Sequence, residues 1–516
     1  MKKNCLNLLF LAFFLTACRN TPAPMSTALP TPTITADPSP TLPLTSPTPP
    51  QPTPSPEPPV TLTILYTNDE HGWMEGQEPG QSAANLMGLW REEQGFSTDE
   101  NFLILSGGDN WTGPAISTWF DGQSMVEVMN AMQYTASAVG NHEFDFGLEA
   151  FSQRVEEANF PYVSANVRWR DTGATPLELG ILPYVIVEIE GVEVGITGLT
   201  TTATPVTTNP VNVNEMVFLE YAAALHDVVP QMQAEGADLI LVPSHVCMNE
   251  LVDLINATAD LEIHLLGAGH CNERIADEFN GVVMLGAGAH LGRYAFVTFS
   301  INETADTITP VEYGVRVNAA AEDDPTVLAV VEKWQAAAAT ELNLPVGYLE
   351  QEIPIRSDTM KGLITEAWLW AYPTADVALT NSGGMRDTWH AGELTFADIL
   401  GVMPFDNVLV EVHLTGSELI QLLNRTDDAV AGVQRQTGKW ILDKTGQAID
   451  RGTTYSLLVN DFMYAGGDGY TMLAIFDPDA YNTAIDWRQP VIDWMLAQAS
   501  TPDSPLDEAI ATLIAD

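Results

Sequence analysis

Thr61-Leu62-Thr63-Ile64-Leu65-Tyr66-Thr67-Asn68-Asp69-Glu70-His71-Gly72 is an apolar run that ends in a carboxylate and an imidazole two residues apart. Residues 61–66 are uncharged and rich in Leu and Ile, which predicts a short buried strand. The polar groups follow at its carboxyl end. The same order recurs along the chain: 102–105 leads to Asp109, 136–139 to Asn141, 238–242 to His245 and 261–266 to His270, with 282–285 as a further strand. Helical patterns over 85–93, 124–132 and 220–234 lie between these runs. Such alternation predicts an α/β domain with a layered sheet. In α/β sheets functional groups collect beyond the carboxyl ends of strands, so residues far apart in sequence are expected to converge there.

Gly140-Asn141-His142-Glu143-Phe144-Asp145-Phe146-Gly147 packs an amide, an imidazole and two carboxylates between glycines. Taken alone, Asn-His-Glu reads equally well as a polar turn; the other strand-end residues supply the rest of a coordination sphere. Two divalent cations about 3.5 to 4 Å apart can clamp a phosphoryl group and lower the pKa of a bound water from about 16 to about 7. A bridging carboxylate holds two such ions close, and mixed His, Asn and Asp ligands suit Zn, Mn, Co or Fe better than calcium.

At 516 residues the chain exceeds the size at which one core keeps growing, and two folded domains plus tails are expected. The pattern changes near 316, where 324–342 reads as one alanine-rich helix with an acidic start. The expected order is a signal segment over 1–17, a tether over 18–60, a first domain over 61–320, a linker helix within 321–345, a second α/β domain over 346–500 and an acidic tail over 501–516. Helices are expected in the second domain over 359–371 and 416–423. The tail forms a short helix or frays.

Lys2 and Lys3, an apolar run and then Leu15-Thr16-Ala17-Cys18 have the form of a lipoprotein signal, with Cys18 as the lipidated mature terminus. The run is too short for a membrane span. Residues 21–59 hold 15 prolines and 13 serines or threonines in 39 residues, with no basic or aromatic residue, and cannot build a core. They read as an extended stalk. The formal charge of −48 becomes −50 once Lys2 and Lys3 are removed with the signal, which makes acidic lipid a poor partner and leaves no nucleic acid polymer expected. Cys247 and Cys271 remain beside His245 and His270. They read equally as a disulfide between the two ligand loops or as two buried thiols, with a thiolate ligand as a third reading.

Together with Gly107-Gly108-Asp109 and Gly113, Ser244-His245 and Gly269-His270, the two quoted motifs resemble the 5'-nucleotidase family of metallophosphoesterases over about residues 60–498. The resemblance implies a two-domain α/β fold. Its first domain is calcineurin-like, a dinuclear metallophosphoesterase built as an α/β/β/α sandwich, and its second is a 5'-nucleotidase substrate domain. It also implies that Asp69 and His71 bind one metal, that Asp109 bridges, and that Asn141, His245 and His270 bind the other. The family places His or Gln where this chain has Asn272, whose shorter amide would have to reach the first metal. His142 would face the phosphate and protonate the leaving oxygen, oriented by Asp145. Glu143 would be structural.

In the second domain, Asn381-Ser382-Gly383-Gly384-Met385-Arg386 is a glycine-rich turn that ends in a guanidinium suited to phosphate. Phe405 and Phe462 match the family's base-stacking pair. By the same resemblance Asn407 would contact the base, Asp468 the ribose hydroxyls, and Arg386 and Arg356 the phosphate; the family often carries further arginines upstream, where Arg356 stands alone here. Closure of the second domain about the 324–342 helix is implied as well. His226, His264, His390 and His413 read as ordinary core or surface residues, whereas His290 lies in a loop able to approach the site.

The expected protein is an exported, lipid-anchored monomer facing the outside or periplasm. It is expected to hydrolyse nucleoside 5'-monophosphates with two divalent metal ions. UDP-sugar hydrolysis and 2',3'-cyclic nucleotide cleavage are alternatives with the same metal core, a thiosulfate-ester hydrolase is a more distant one, and a catalytically silent nucleotide-binding lipoprotein is the alternative from another class.

Overall fold

The computed structural model describes residues 59–97, 101–302, 307–319 and 321–515. The signal segment, Cys18 and all but the end of the tether lie outside the described residues. Strand Val60–Thr67 lies inside a seven-stranded sheet, with Leu62, Ile64 and Tyr66 buried on one face and Leu65 on the other. It runs antiparallel to Arg293–Asn302 and parallel to Phe102–Ser106, with Thr67 opposite Ser106. Parallel pairing continues through Ala136–Ala138, Tyr162–Val163 and Ile181–Leu182, while Thr307–Val317 forms the other edge. A second sheet has six strands, in the order Arg274–Phe279, Val282–Ala287, Leu265–Gly267, Leu239–Val242, Val192–Thr197 and Tyr184–Ile189.

Leu62, Leu105 and Phe299 of the first sheet meet Ile196, Leu241 and Leu285 of the second in one core. Helices Ala83–Glu93, Gln123–Ala131 and Gly147–Glu157 cover the outer face of the first sheet, and Tyr221–Ala234 and Met248–Ala257 that of the second. The layering is α/β/β/α.

The helix expected as a linker, Pro325–Leu342, belongs to the first core. Val327, Val331, Trp334, Ala338 and Leu342 recur every three or four residues and bury one stripe against that core. Asp324 caps its start, accepting from the Thr326 and Val327 amides.

The C-terminal half holds a five-stranded sheet in the order Ala429–Ala431, Val377–Thr380, Thr454–Asn460, Val408–Thr415 and Tyr481–Asp486. Helices Asp358–Ala371 and Gln489–Ala497 pack on one face, and Gly416–Leu423 and Met472–Phe476 on the other. Residues expected as a tail instead complete this core: helix Asp507–Ala515 packs on Asp358–Ala371, with Leu506 and Ile510 buried. The strand expected over 261–266 is shorter and later, Leu265–Gly267, because the Leu261 and Ile263 amides turn back onto Thr258 and Leu261 carbonyls. No helix among the described residues is long and apolar enough to cross a membrane.

Candidate active site

Asp69, Asp109 and Asn141 leave the carboxyl ends of three neighbouring parallel strands of the first sheet; His245 and His270 follow two neighbouring strands of the second. The two sheets are tied at this edge. The Tyr66 hydroxyl donates to the Ala268 carbonyl at 3.1 Å, and His245 Nδ1 lies 2.9 Å from the Gly107 carbonyl. The turns are tight. Asp69, His71, Asp109, His270 and Asn272 all have φ between 47° and 69°, a left-handed conformation that costs about 1–3 kcal/mol per non-glycine residue and that clusters at functional sites.

Ligand atoms of Asp69, His71 and Asp109 lie within 4.8 Å of one another, and so do those of Asp109, His245 and His270. Asp109 is common to both groups. Its Oδ1 accepts the His142 amide at 2.8 Å, while Oδ2 lies 2.9 Å from His245 Nε2 and 3.8 Å from His71 Nε2.

Backbone carbonyls orient the imidazoles. His71 Nδ1 donates to the Thr112 carbonyl at 2.8 Å and His245 Nδ1 to that of Gly107, which turns both Nε2 atoms toward Asp109. Asn141 Nδ2 donates to the Thr207 carbonyl at 3.1 Å, which turns its Oδ1 the other way. Asn141 Oδ1 is buried without a hydrogen-bond partner among the described residues, and His245 Nε2 faces only the Asp109 carboxylate. An orphaned acceptor such as Asn141 Oδ1 is costly unless a cation completes it, so the donor set fits divalent metal. Burial, followed by Arg386, drives His71 well below the ordinary histidine range; burial, followed by His245, lowers His270 to about 4. Both are therefore in the neutral, ligating form.

A disulfide joins Cys247 to Cys271, with Cα atoms 5.2 Å apart, and cross-links the loops that carry His245 and His270. Within the 140–147 run, Glu143 accepts three backbone amides, from Asp109 at 2.9 Å and from Asn110 and Gly140 at 2.6 Å, and so shapes the turn around Asp109. A Cβ on Gly140 would stand 2.2 Å from Asp109 Oδ1, so only glycine fits there. His142 Nδ1 meets Asp145 Oδ2 at 2.7 Å, and Asp145 Oδ1 accepts from the Thr208 hydroxyl at 2.8 Å. Burial opposes a charge on His142, but Asp145 and Asp109 outweigh it and raise its pKa.

Residues of the second half face this centre across one cavity of about 420 Å³. Of the fifteen site residues expected from sequence, His245 alone does not line it, being fully buried beneath. Arg386 Nη2 approaches His71 Nε2 to 3.4 Å, and its guanidinium lies over the Phe405 ring, 5.8 Å from the centroid. Phe405 in turn stacks on His142, centroids 5.7 Å apart. Phe462 lines the same cavity and lies over Gly467, whose Cβ position is 2.4 Å from the ring. Asp468 accepts from Asn381 Nδ2 at 2.7 Å, and Asn460 Nδ2 donates to Asn381 Oδ1 at 2.9 Å. Arg356 and Asn407 also line the cavity, Arg356 donating to the Met385 carbonyl at 3.2 Å. Asn272 lines it too, beside His270.

Sequence reasoning missed Thr208, Asn381 and Asn460 as orienting groups, and Arg488, which grips Asp406 at 2.8 Å. Only Asn381, first in the Asn381–Arg386 turn, and Asn460, two residues before Phe462, stood where the sequence could have drawn attention to them.

Residues 345–475 match the family model for the 5'-nucleotidase C-terminal domain. The chain is 28% identical to a 5'-nucleotidase of Vibrio cholerae, over 86% of this chain and 91% of that one. It is 26% identical to Protein UshA of Yersinia enterocolitica, over 86% and 92%. Its fold is similar to that of a 5'-nucleotidase precursor from Thermus thermophilus, with a TM-score of 0.70, 22% identity and coverage of 86% and 97%. The second half thus matches the 5'-nucleotidase C-terminal domain, and the chain is similar to 5'-nucleotidases through both halves.

Proposed function

We propose that this chain hydrolyses nucleoside 5'-monophosphates to nucleoside and phosphate in the cavity between its two halves. The observation that carries the reading is the convergence there of two ligand groups sharing Asp109 with an aromatic and guanidinium set, Phe405, Phe462 and Arg386. Asp69, His71 and Asn272 would hold one divalent cation, Asn141, His245 and His270 a second, and Asp109 both; such ions polarise the phosphoryl oxygens and acidify the attacking water. Arg386 and Arg356 hold the phosphate, Phe405 and Phe462 flank the base, Asn407 meets its edge, and Asp468 accepts from the ribose hydroxyls. His142, oriented by Asp145, stabilises charge on the phosphoryl group and passes a proton to the departing 5'-oxygen. The Leu15-Thr16-Ala17-Cys18 motif supports export and lipid attachment at Cys18, with the enzyme outside the membrane.

The test is phosphate release by protein loaded with Mn, Zn or Co, across nucleoside monophosphates, UDP-sugars and 2',3'-cyclic nucleotides, with metal content measured in parallel. Monophosphates should be the best substrates, and His142→Ala should lower kcat about 10²- to 10⁴-fold with metal content unchanged. Absence of release from every substrate by the metal-loaded wild type would sink the reading.

A further inference from the structure

His290 lines the cavity, and none of the roles above uses it. It follows strand Val282–Ala287 in a turn where Gly288, His290 and Leu291 have φ of 90°, 59° and 54°. Two successive non-glycine residues in left-handed backbone are strained by about 1–3 kcal/mol each, and such strain persists only where surrounding contacts impose it. Here they do. Asn68 accepts the Ala287 amide at 2.8 Å and donates to the Gly288 carbonyl at 2.7 Å, the His290 amide donates to the Asp69 carbonyl at 2.8 Å, and Asn318 Nδ2 donates to the Leu291 carbonyl at 3.0 Å. Sixteen non-glycine residues among those described have positive φ, and eight of them line this cavity. Seven already have a metal- or substrate-facing role; His290 is the eighth.

The ring is wedged between Trp73, centroids 5.2 Å apart and tilted 33°, and the edge of His71 at 5.8 Å. Neither ring nitrogen has a hydrogen-bond partner among the described residues, unlike both nitrogens of His226 and Nδ1 of His264. A metal role does not account for it, since His290 joins neither ligand group. Arg356 and Arg386 are the only cationic side chains lining the cavity among the described residues, and carboxylates of Asp69, Asp109, Asp145, Asp406 and Asp468 share it. Arg386 sits 3.4 Å from His71 Nε2, and His290 packs on that same His71 ring. A phosphoryl group that meets Arg386 therefore arrives one ring away from an unpartnered imidazole.

We propose that His290 is a substrate-binding residue, donating a ring N–H to a phosphoryl oxygen on the His71 side of the site. The inference rests on the phosphoester reading above and deepens it. Inorganic phosphate is the direct probe, titrated calorimetrically into full-length Mn-loaded protein. His290→Gly removes the ring while suiting the left-handed backbone, and His290→Gln retains a donor. The glycine variant should bind phosphate about tenfold more weakly, as expected for one hydrogen bond to a charged group. Its KM for nucleotide should rise to a similar extent with kcat within about threefold, metal content should be unchanged, and the glutamine variant should recover part of the affinity. Phosphate affinity within about twofold of wild type in His290→Gly would overturn the assignment. So would a parallel loss of metal, which would make His290 a ligand, or a wild type that binds no phosphate. Because this titration requires no turnover, a wild type that binds phosphate but cleaves no nucleotide overturns the functional reading alone.

Discussion

His264 sits beside strand Leu239–Val242, where its Nδ1 accepts the Ile240 amide at 3.1 Å, and burial lowers its pKa to about 4. An unfolded histidine titrates near 6.5. Above about pH 6.5 both states are neutral and the residue contributes no pH dependence. As pH falls from there toward about 4, the unfolded chain takes up the proton and the folded one does not, so up to about 3 kcal/mol of stability is lost, with no further loss below. His264→Asn keeps an acceptor for Ile240 and removes the titration. Denaturant unfolding at fixed metal should show the mutant gaining on wild type across that window; a constant difference at every pH would show that His264 is not the group responsible. At this scale the sequence was informative wherever residue type is itself the chemistry. Asp69, His71, Asp109, His245 and His270 stood out because carboxylates and imidazoles at strand ends have few other uses, whereas Glu143 separated from His142 only through the family resemblance. Thr208, Asn381 and Asn460 did not stand out. They act by orienting another side chain over a long sequence interval, as Thr208 does for Asp145, and any threonine or asparagine could do the same.

The segment Asp486-Trp487-Arg488, between strand Tyr481–Asp486 and helix Gln489–Ala497, fastens the loop that carries Phe405 and Asn407. The Trp487 indole donates to the Phe405 carbonyl at 2.8 Å and its amide to that of Asn407 at 3.1 Å; Arg488 donates to Asp406 at 2.8 Å and to the Met403 carbonyl at 3.4 Å. The Asp406 and Asp486 side chains are 62% and 44% exposed, so the ion pairs contribute under about 1 kcal/mol to stability. Their effect falls on position. Arg488→Met should raise KM for a nucleotide about five- to tenfold while leaving kcat and metal content near wild type, because a loosened stacking platform costs binding before it costs chemistry. Steady-state kinetics decide it, and an unchanged KM would mean that Trp487 alone holds the loop. Elements with one buried face were legible, since 416–423 and 325–342 show apolar residues every three or four positions. Strand Thr307–Val317 was not, because most of its residues are exposed or half-buried and no apolar run marks it. The docking of Asp507–Ala515 was equally hidden, since a short amphipathic helix does not state what it packs against.

For the whole molecule, the two halves and their order were readable from motifs, but their apposition was not. It rests on contacts such as Arg386 with His71 and Trp119 with Phe396, each joining residues more than 250 positions apart. The apposition sets the electrostatics of entry. A nucleotide carrying two or more negative charges must approach a chain with 68 acidic and 20 basic residues, and reach a cavity where two arginines face five aspartates. Bound cations would reverse the sign locally, but the field met before encounter remains that of the whole surface. The screening length shrinks from about 30 Å at 0.01 M salt to about 8 Å at 0.15 M, so repulsion acting across the cavity mouth at low salt is largely removed at the higher concentration. With metal loading held fixed, kcat/KM for a nucleoside monophosphate should therefore rise severalfold over that range while kcat stays level, and more steeply for a substrate of higher negative charge. Binding dominated by direct Arg386 and Arg356 contacts predicts the reverse slope. A flat or falling profile would mean that the local cationic site, and not the net charge, governs encounter.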